Sequence, residues 1–118
     1  MSTTSFHAWL SGGDFDTVLD LLRAWLKTED FKIQDRLAGM EIVHESDSLY
    51  LFCQEGRPTR DGLPNYLMEG KIEAGAEAAA ERMRPLLTLS EARHIDFSLE
   101  YVSLDENGQE TGDEISLS

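Results

Sequence analysis

The sequence predicts an α+β domain, a mostly antiparallel sheet of about five strands with two helices on one face, in the order β-α-β-β-β-α-β. Residues 14–27 form a strongly amphipathic helix and residues 76–89 a second, alanine-rich one. The stretches around and between them alternate apolar and polar side chains with the period of a half-buried strand. Strands in one layer with helices on its face come close to the ferredoxin-like plan with one strand added. The likeness is one of topology alone.

The helix at 14–27, DFDTVLDLLRAWLK, organises the rest. Phe15, Val18, Leu19, Leu22, Trp25 and Leu26 recur at the spacing that makes one apolar stripe. Asp14 or Asp16 caps its first turn, and Lys27 sits where the helix dipole favours positive charge. Burying that stripe contributes about 10 kcal/mol gross, an upper bound because unfolded chains are already partly compact.

Ahead of it, residues 5–11 alternate Phe6, Ala8 and Leu10 against His7, Trp9 and Ser11, a strand that Gly12-Gly13 breaks. The glycine pair reads as a plain turn: Asp14 and Asp16 would repel a phosphate, and neither glycine-rich phosphate motif is present. Residues 28–35 are polar, with Phe31 and Ile33 directed inward, and carry no clear element. Residues 38–45 read as a strand with Met40 and Ile42 on one face, and Glu45-Ser46-Asp47-Ser48 turns the chain back. In 48–54 both faces are apolar, Leu49, Leu51 and Cys53 against Tyr50 and Phe52, which marks a central strand. Residues 55–65 hold two prolines and two glycines and form an exposed loop.

Residues 66–74 alternate again, with Tyr66, Met68, Gly70, Ile72 and Ala74 on one side and Leu67, Glu69, Lys71 and Glu73 on the other. In the second helix Ala76, Ala79, Ala80, Met83, Leu86 and Leu87 make the buried stripe. Pro85 kinks or ends it near Arg84, and Thr88 with Glu91 has the spacing of a new helical start. Residues 95–104 are the clearest strand, Ile95, Phe97, Leu99 and Tyr101 inward and Asp96, Ser98 and Glu100 outward. Glu106-Asn107-Gly108-Gln109 carries the Asn-Gly signal of a tight hairpin, and the remainder to 118 returns as a short edge strand or frays. With no internal repeat or linker, residues 1–118 read as one domain.

Charge narrows the function. The net charge is −13, and after Arg93 there is no Lys or Arg while seven acids follow. That balance argues against nucleic acid and against an anionic membrane, where binding rests on Lys and Arg contacts to phosphates. It suits a basic protein partner, a metal, or simply high solubility. The acidic edge formed by Glu100, Asp105, Glu106, Glu110, Asp113 and Glu114 is therefore one candidate docking surface. A single cysteine excludes an internal disulfide, the first 15 residues lack the basic start and apolar run of a signal peptide, and no window is long and apolar enough for a membrane span. A cytoplasmic setting is the expectation.

Catalytic chemistry finds little footing. His7, His44 and His94 lie in or beside different strands and share no local ligand spacing, so no metal and no other cofactor is expected. Cys53 shares a face with Leu49 and Leu51 and reads as a small buried hydrophobe rather than a nucleophile. Asp105-Glu106-Asn107-Gly108 lacks calcium-loop spacing. Arg57 and Arg60, on the proline-containing loop, are a candidate anion contact.

The outward aromatics point elsewhere. If Phe6, Ala8 and Leu10 face the helices, then His7 and Trp9 lie on the opposite side of the sheet, joined by Tyr50 and Phe52. An open sheet face with such a cluster is a site for a partner or for self-association. The sequence thus favours a small acidic, non-enzymatic interaction module of the inhibitor or immunity type, with a basic protein as partner. A ferredoxin-like homodimer holding a small ligand is the alternative, and an enzyme is the least supported reading.

Overall fold

Each of the five expected strands is present, and two edge strands extend the sheet: one over residues 32–36, where no clear element is expected, and one at 110–117, where the chain is expected to return as an edge strand or fray. The computed structural model of the protein describes residues 2–117; Met1 and Ser118, the end of the expected edge strand, lie outside the described residues. In chain order the elements are β1 (Thr3–Ser11), α1 (Phe15–Leu26), β2 (Lys32–Arg36), β3 (Gly39–Glu45), β4 (Leu49–Glu55), β5 (Asn65–Ile72), α2 (Ala76–Met83), α3 (Pro85–Ala92), β6 (Asp96–Leu104) and β7 (Glu110–Leu117). All seven strands form one antiparallel sheet in the order β2-β3-β4-β5-β1-β6-β7. The α+β class stands, but the sheet has seven strands rather than about five, and its order does not show a ferredoxin-like topology.

The two added strands have a common physical cause. β2 reads KIQDR and pairs only with β3, through a register that sets Ile33 against Ile42. It lies at the edge of the sheet, so Ile33 is 42% exposed rather than directed inward, whereas Ile42 is fully buried. Phe31, just ahead of it, is partly buried with its ring against His44, at a centroid distance of 5.4 Å. β7 is acidic and exposed along its length until Leu117, which packs opposite Leu99. Edge strands need little apolar alternation, because one side of their ladder and much of both faces meet water.

α1 begins as its sequence dictates. Asp14 Oδ1 accepts hydrogen bonds from the Thr17 backbone N–H at 2.9 Å and from the Thr17 hydroxyl at 2.7 Å, which holds the Asp14 carboxyl below its ordinary value. Lys27 ends the helix in the left-handed region, φ 54°, and its N–H closes on the Arg23 carbonyl at 2.8 Å. The buried arc is wider than the six-residue stripe by Leu21, because α1 packs on α3 as well as on the sheet.

Pro85 acts as its chemistry requires. α2 stops at Met83, and Pro85 occupies the first turn of α3, where its missing N–H costs nothing. The break coincides with a tie between helices: the carbonyl of Arg82 accepts from Trp25 Nε1–H at 2.8 Å. The Trp25 ring also meets Phe6 edge-on, at 6.4 Å between centroids, so one side chain joins α1, α2 and β1. The core between helices and sheet includes Phe6, Leu10, Leu51, Met68, Leu22 and Met83, all essentially without solvent exposure.

Candidate functional site

All three helical segments lie on one side of the sheet, and the other side is built by alternate residues of β3, β4, β5, β1 and β6. The registers arrange them in three rows running across the strands. The first is Glu41, Gln54, Leu67, Trp9 and Ser98. The second is Val43, Phe52, Glu69, His7 and Glu100, and the third is Glu45, Tyr50, Lys71, Ser5 and Val102. The sheet therefore brings His7, Trp9, Tyr50 and Phe52 to one face, as the parity of their strands requires.

Three apolar members of that face are substantially open, Trp9 at 41% exposed, Tyr50 at 40% and Leu67 at 36%, whereas Val102 is buried. Single exposed hydrophobes are ordinary, but Trp9 and Leu67 stand directly opposite each other across β1 and β5, with Phe52 diagonal to Leu67 across β4 and β5. Between them lies a shallow depression of about 130 Å³, lined by His7, Trp9, Phe52, Gln54, Leu67 and Glu69. It is smaller than the ~300–1,000 Å³ of ordinary ligand pockets and has room for one side chain of a partner.

Beside the apolar patch runs a line of carboxylates. Glu69 and Glu100 face His7 from either side, with Glu69 Oε2 3.6 Å from His7 Nε2. Glu114 of β7 lies two residues from Ser116, which stands opposite Glu100, and hydrogen bonding and charge from the Glu100 carboxylate raise its pKa above the ordinary value, against a smaller opposing effect of His7.

The other expected site residues are scattered. Asp105 sits in the β6–β7 turn, where one carboxylate oxygen accepts from the N–H groups of Asn107 and Gln109, each at 2.9 Å. Glu106, Glu110 and Asp113 are exposed. Of the acidic edge, only Glu100 and Glu114 are thus drawn together. Arg57 and Arg60 lie on the exposed loop between β4 and β5 and form no ion pair among the described residues.

The candidate catalytic and ligand groups do not converge either. His44 Nδ1 lies 2.7 Å from the Asp30 carbonyl, which gives that ring a structural task. His94 is exposed at the left-handed residue between α3 and β6, φ 56°. Among the described residues no three His, Cys, Asp or Glu side chains gather as a metal would need. Cys53 is buried on the helix side, and burial pushes its thiol up to about 12. Such a thiol is the opposite of an activated nucleophile.

No family model matches the chain, and no curated protein matches it in sequence.

Leu67 and Glu69 are the residues that sequence reasoning left out of the site. Their parity was legible, since they alternate with Tyr66 and Met68, but their neighbours were not. Leu67 meets Trp9 only through the pairing of β5 with β1, strands some 58 residues apart in the chain.

Proposed function

We propose that this protein is a non-enzymatic interaction module that binds a basic protein through the open face of its sheet. The observation that carries the reading is the row of Leu67 and Trp9 beside Phe52, apolar, in register and uncovered, on the side of the sheet that no helix packs against. An exposed aromatic cluster rimmed by charge has the composition of a docking surface, with a desolvated centre and a polar rim. The rim here is carboxylate, and the net charge of −13 steers a basic partner toward it. A small acidic protein that neutralises a basic toxin or nuclease would work in this way, in a reducing, cytoplasmic setting that suits a lone buried cysteine.

The second reading, a homodimer closing over the same face, has one observation in its favour. Trp9 and Leu67 stand open and opposite each other on the side of the sheet without helices, an apolar patch that would also suit a second copy. Against it stands charge, since a second copy brings its own acidic rim to the interface.

Sedimentation of the purified protein, together with capture of partners from its native lysate, separates the two readings. The docking reading expects a monomer that retains a basic protein, and expects Trp9→Ala with Leu67→Ser to abolish retention while the melting temperature holds. A concentration-dependent dimer that the same pair of substitutions dissolves would replace that reading with self-association.

A further inference from the structure

The helix side of the molecule holds a groove that is separate from the docking face and on which the docking reading does not depend. We propose that this groove, between the last turn of α1 and the break of α2 into α3, binds a small amphipathic carboxylate. The apolar body of the ligand lies along Trp25, Leu26, Pro85 and Leu89, and Arg82 and Lys27 hold its carboxylate.

Two local breaks shape the groove. Lys27 ends α1 in the left-handed region, and Pro85 ends α2 and starts α3 anew. Where these ends meet, Trp25 Nε1–H donates to the Arg82 carbonyl, and beside the indole lies a space of about 510 Å³. Pro85 and Leu89 stand four positions apart on α3 and so share the face that lines it, opposite Trp25 and Leu26 of α1. The volume is within the ~300–1,000 Å³ of ordinary ligand sites, which the depression on the open sheet face does not reach.

Charge selects the occupant. In a chain of net charge −13, this groove is lined by two cations, Lys27 and Arg82, and by no carboxylate. Neither forms an ion pair among the described residues, whereas neighbouring arginines do. Arg23 pairs with Glu29 at 2.9 Å, and Arg84 with Glu81 at 3.3 Å. Arg82 Nη1 donates to Ser48 Oγ at 3.0 Å, which ties the guanidinium to the β3–β4 turn and uses one of its five donors. The donors that remain can serve a carboxylate side by side, and the Lys27 ammonium adds a second charge. A neutral molecule would gain only apolar contact here, and a cation would meet like charge.

Octanoate, octanamide and octylammonium share one chain and differ in the charge of the head group. Titration of each into the isotope-labelled protein, followed by NMR, tests the proposal. Octanoate should move the Trp25 indole N–H and the Lys27 and Leu89 amides saturably, with half-saturation at roughly 1 mM, which about ten heavy atoms reach at ordinary ligand efficiency. Octanamide should bind there at least about fivefold more weakly, and octylammonium should leave these signals in place. Lys27→Gln and Arg82→Gln should each weaken octanoate about fivefold at an unchanged melting temperature. Arg23→Gln, whose charge is already paired with Glu29, should leave octanoate binding as it is. Equal responses to octanoate and octanamide, no saturable shift up to about 10 mM, or shifts at the Trp9 indole N–H instead of Trp25, would overturn the site. Octanoate binding that both Gln variants leave intact would overturn it as well. None of these outcomes bears on the docking face, which Trp9→Ala with Leu67→Ser tests on the other side of the sheet.

Discussion

Gly70 is the residue on which the close packing at the centre of the sheet depends. It lies on β5 between Leu51 of β4 and Phe6 of β1, and the Phe6 ring covers it. A Cβ there would fall 2.1 Å from the Tyr50 carbonyl oxygen and 2.6 Å from Phe6 Cζ. Backbone cannot yield as a side chain does, so Gly70→Ala should cost about 3 kcal/mol, the upper end of ordinary overpacking, and a urea melt measures it. A midpoint equal to wild type would mean that the sheet gives locally. The sequence shows Gly70 in an inward position but not why it lacks a side chain, since the reason comes from Phe6, 64 residues earlier. Cys53, three residues beyond Tyr50 on β4, was legible from parity alone. Its thiol should react with thiol reagents far more slowly in the folded protein than in urea. Its folded pKa, about 12, exceeds the ordinary 9.0. The burial of the neutral thiol therefore supports the fold fully below pH 9.0 and is lost as pH rises from there toward 12. Wild type should lose stability across that window, and Cys53→Ala should lose less.

The elements divide by what their formation depends on. α1 was readable in full because its cap, its stripe and its last turn are all local, and the break before Pro85 was readable because proline lacks the N–H a helix interior needs. The tie made at that break was not readable, because its two ends are distant in the chain. The Arg82 carbonyl takes the indole N–H of Trp25, a residue 57 positions away. Trp25→Phe keeps the ring contact with Phe6 but strips the hydrogen bond from a partly buried carbonyl. It should cost about 2 kcal/mol, within the range for leaving a buried acceptor unpaired. Scanning calorimetry of the variant decides this; an unchanged melting temperature would show that water replaces the indole. β2 was the least legible element, because KIQDR has one apolar residue and that residue stays exposed. Its strand state comes from the ladder with β3 and not from burial, and a ladder at an edge leaves no periodic trace in the sequence.

For the whole molecule, the uneven charge is plain in the sequence, but its placement is not. The acids after Arg93 read as one edge; folding turns Asp105 into a turn residue, leaves Glu106, Glu110, Asp113 and Glu114 in water, and sets Glu100 opposite His7 on the open face. The charge of Glu114 beside Glu100 should oppose folding. Glu114 has a folded pKa above its ordinary 4.5, chiefly because of Glu100. Below pH 4.5 the group is protonated in folded and unfolded chains alike, and it imposes no penalty. As pH rises through the raised folded pKa, the unfolded chain has already released its proton while the folded chain must release it against Glu100, so stability falls. Glu114→Gln removes that conflict. Its melting temperature should match wild type at pH values below 4.5, exceed it at neutral pH, and lose part of the excess in high salt, which screens exposed charges. A variant less stable than wild type at neutral pH would mean that the two carboxyl groups hold β7 against β6.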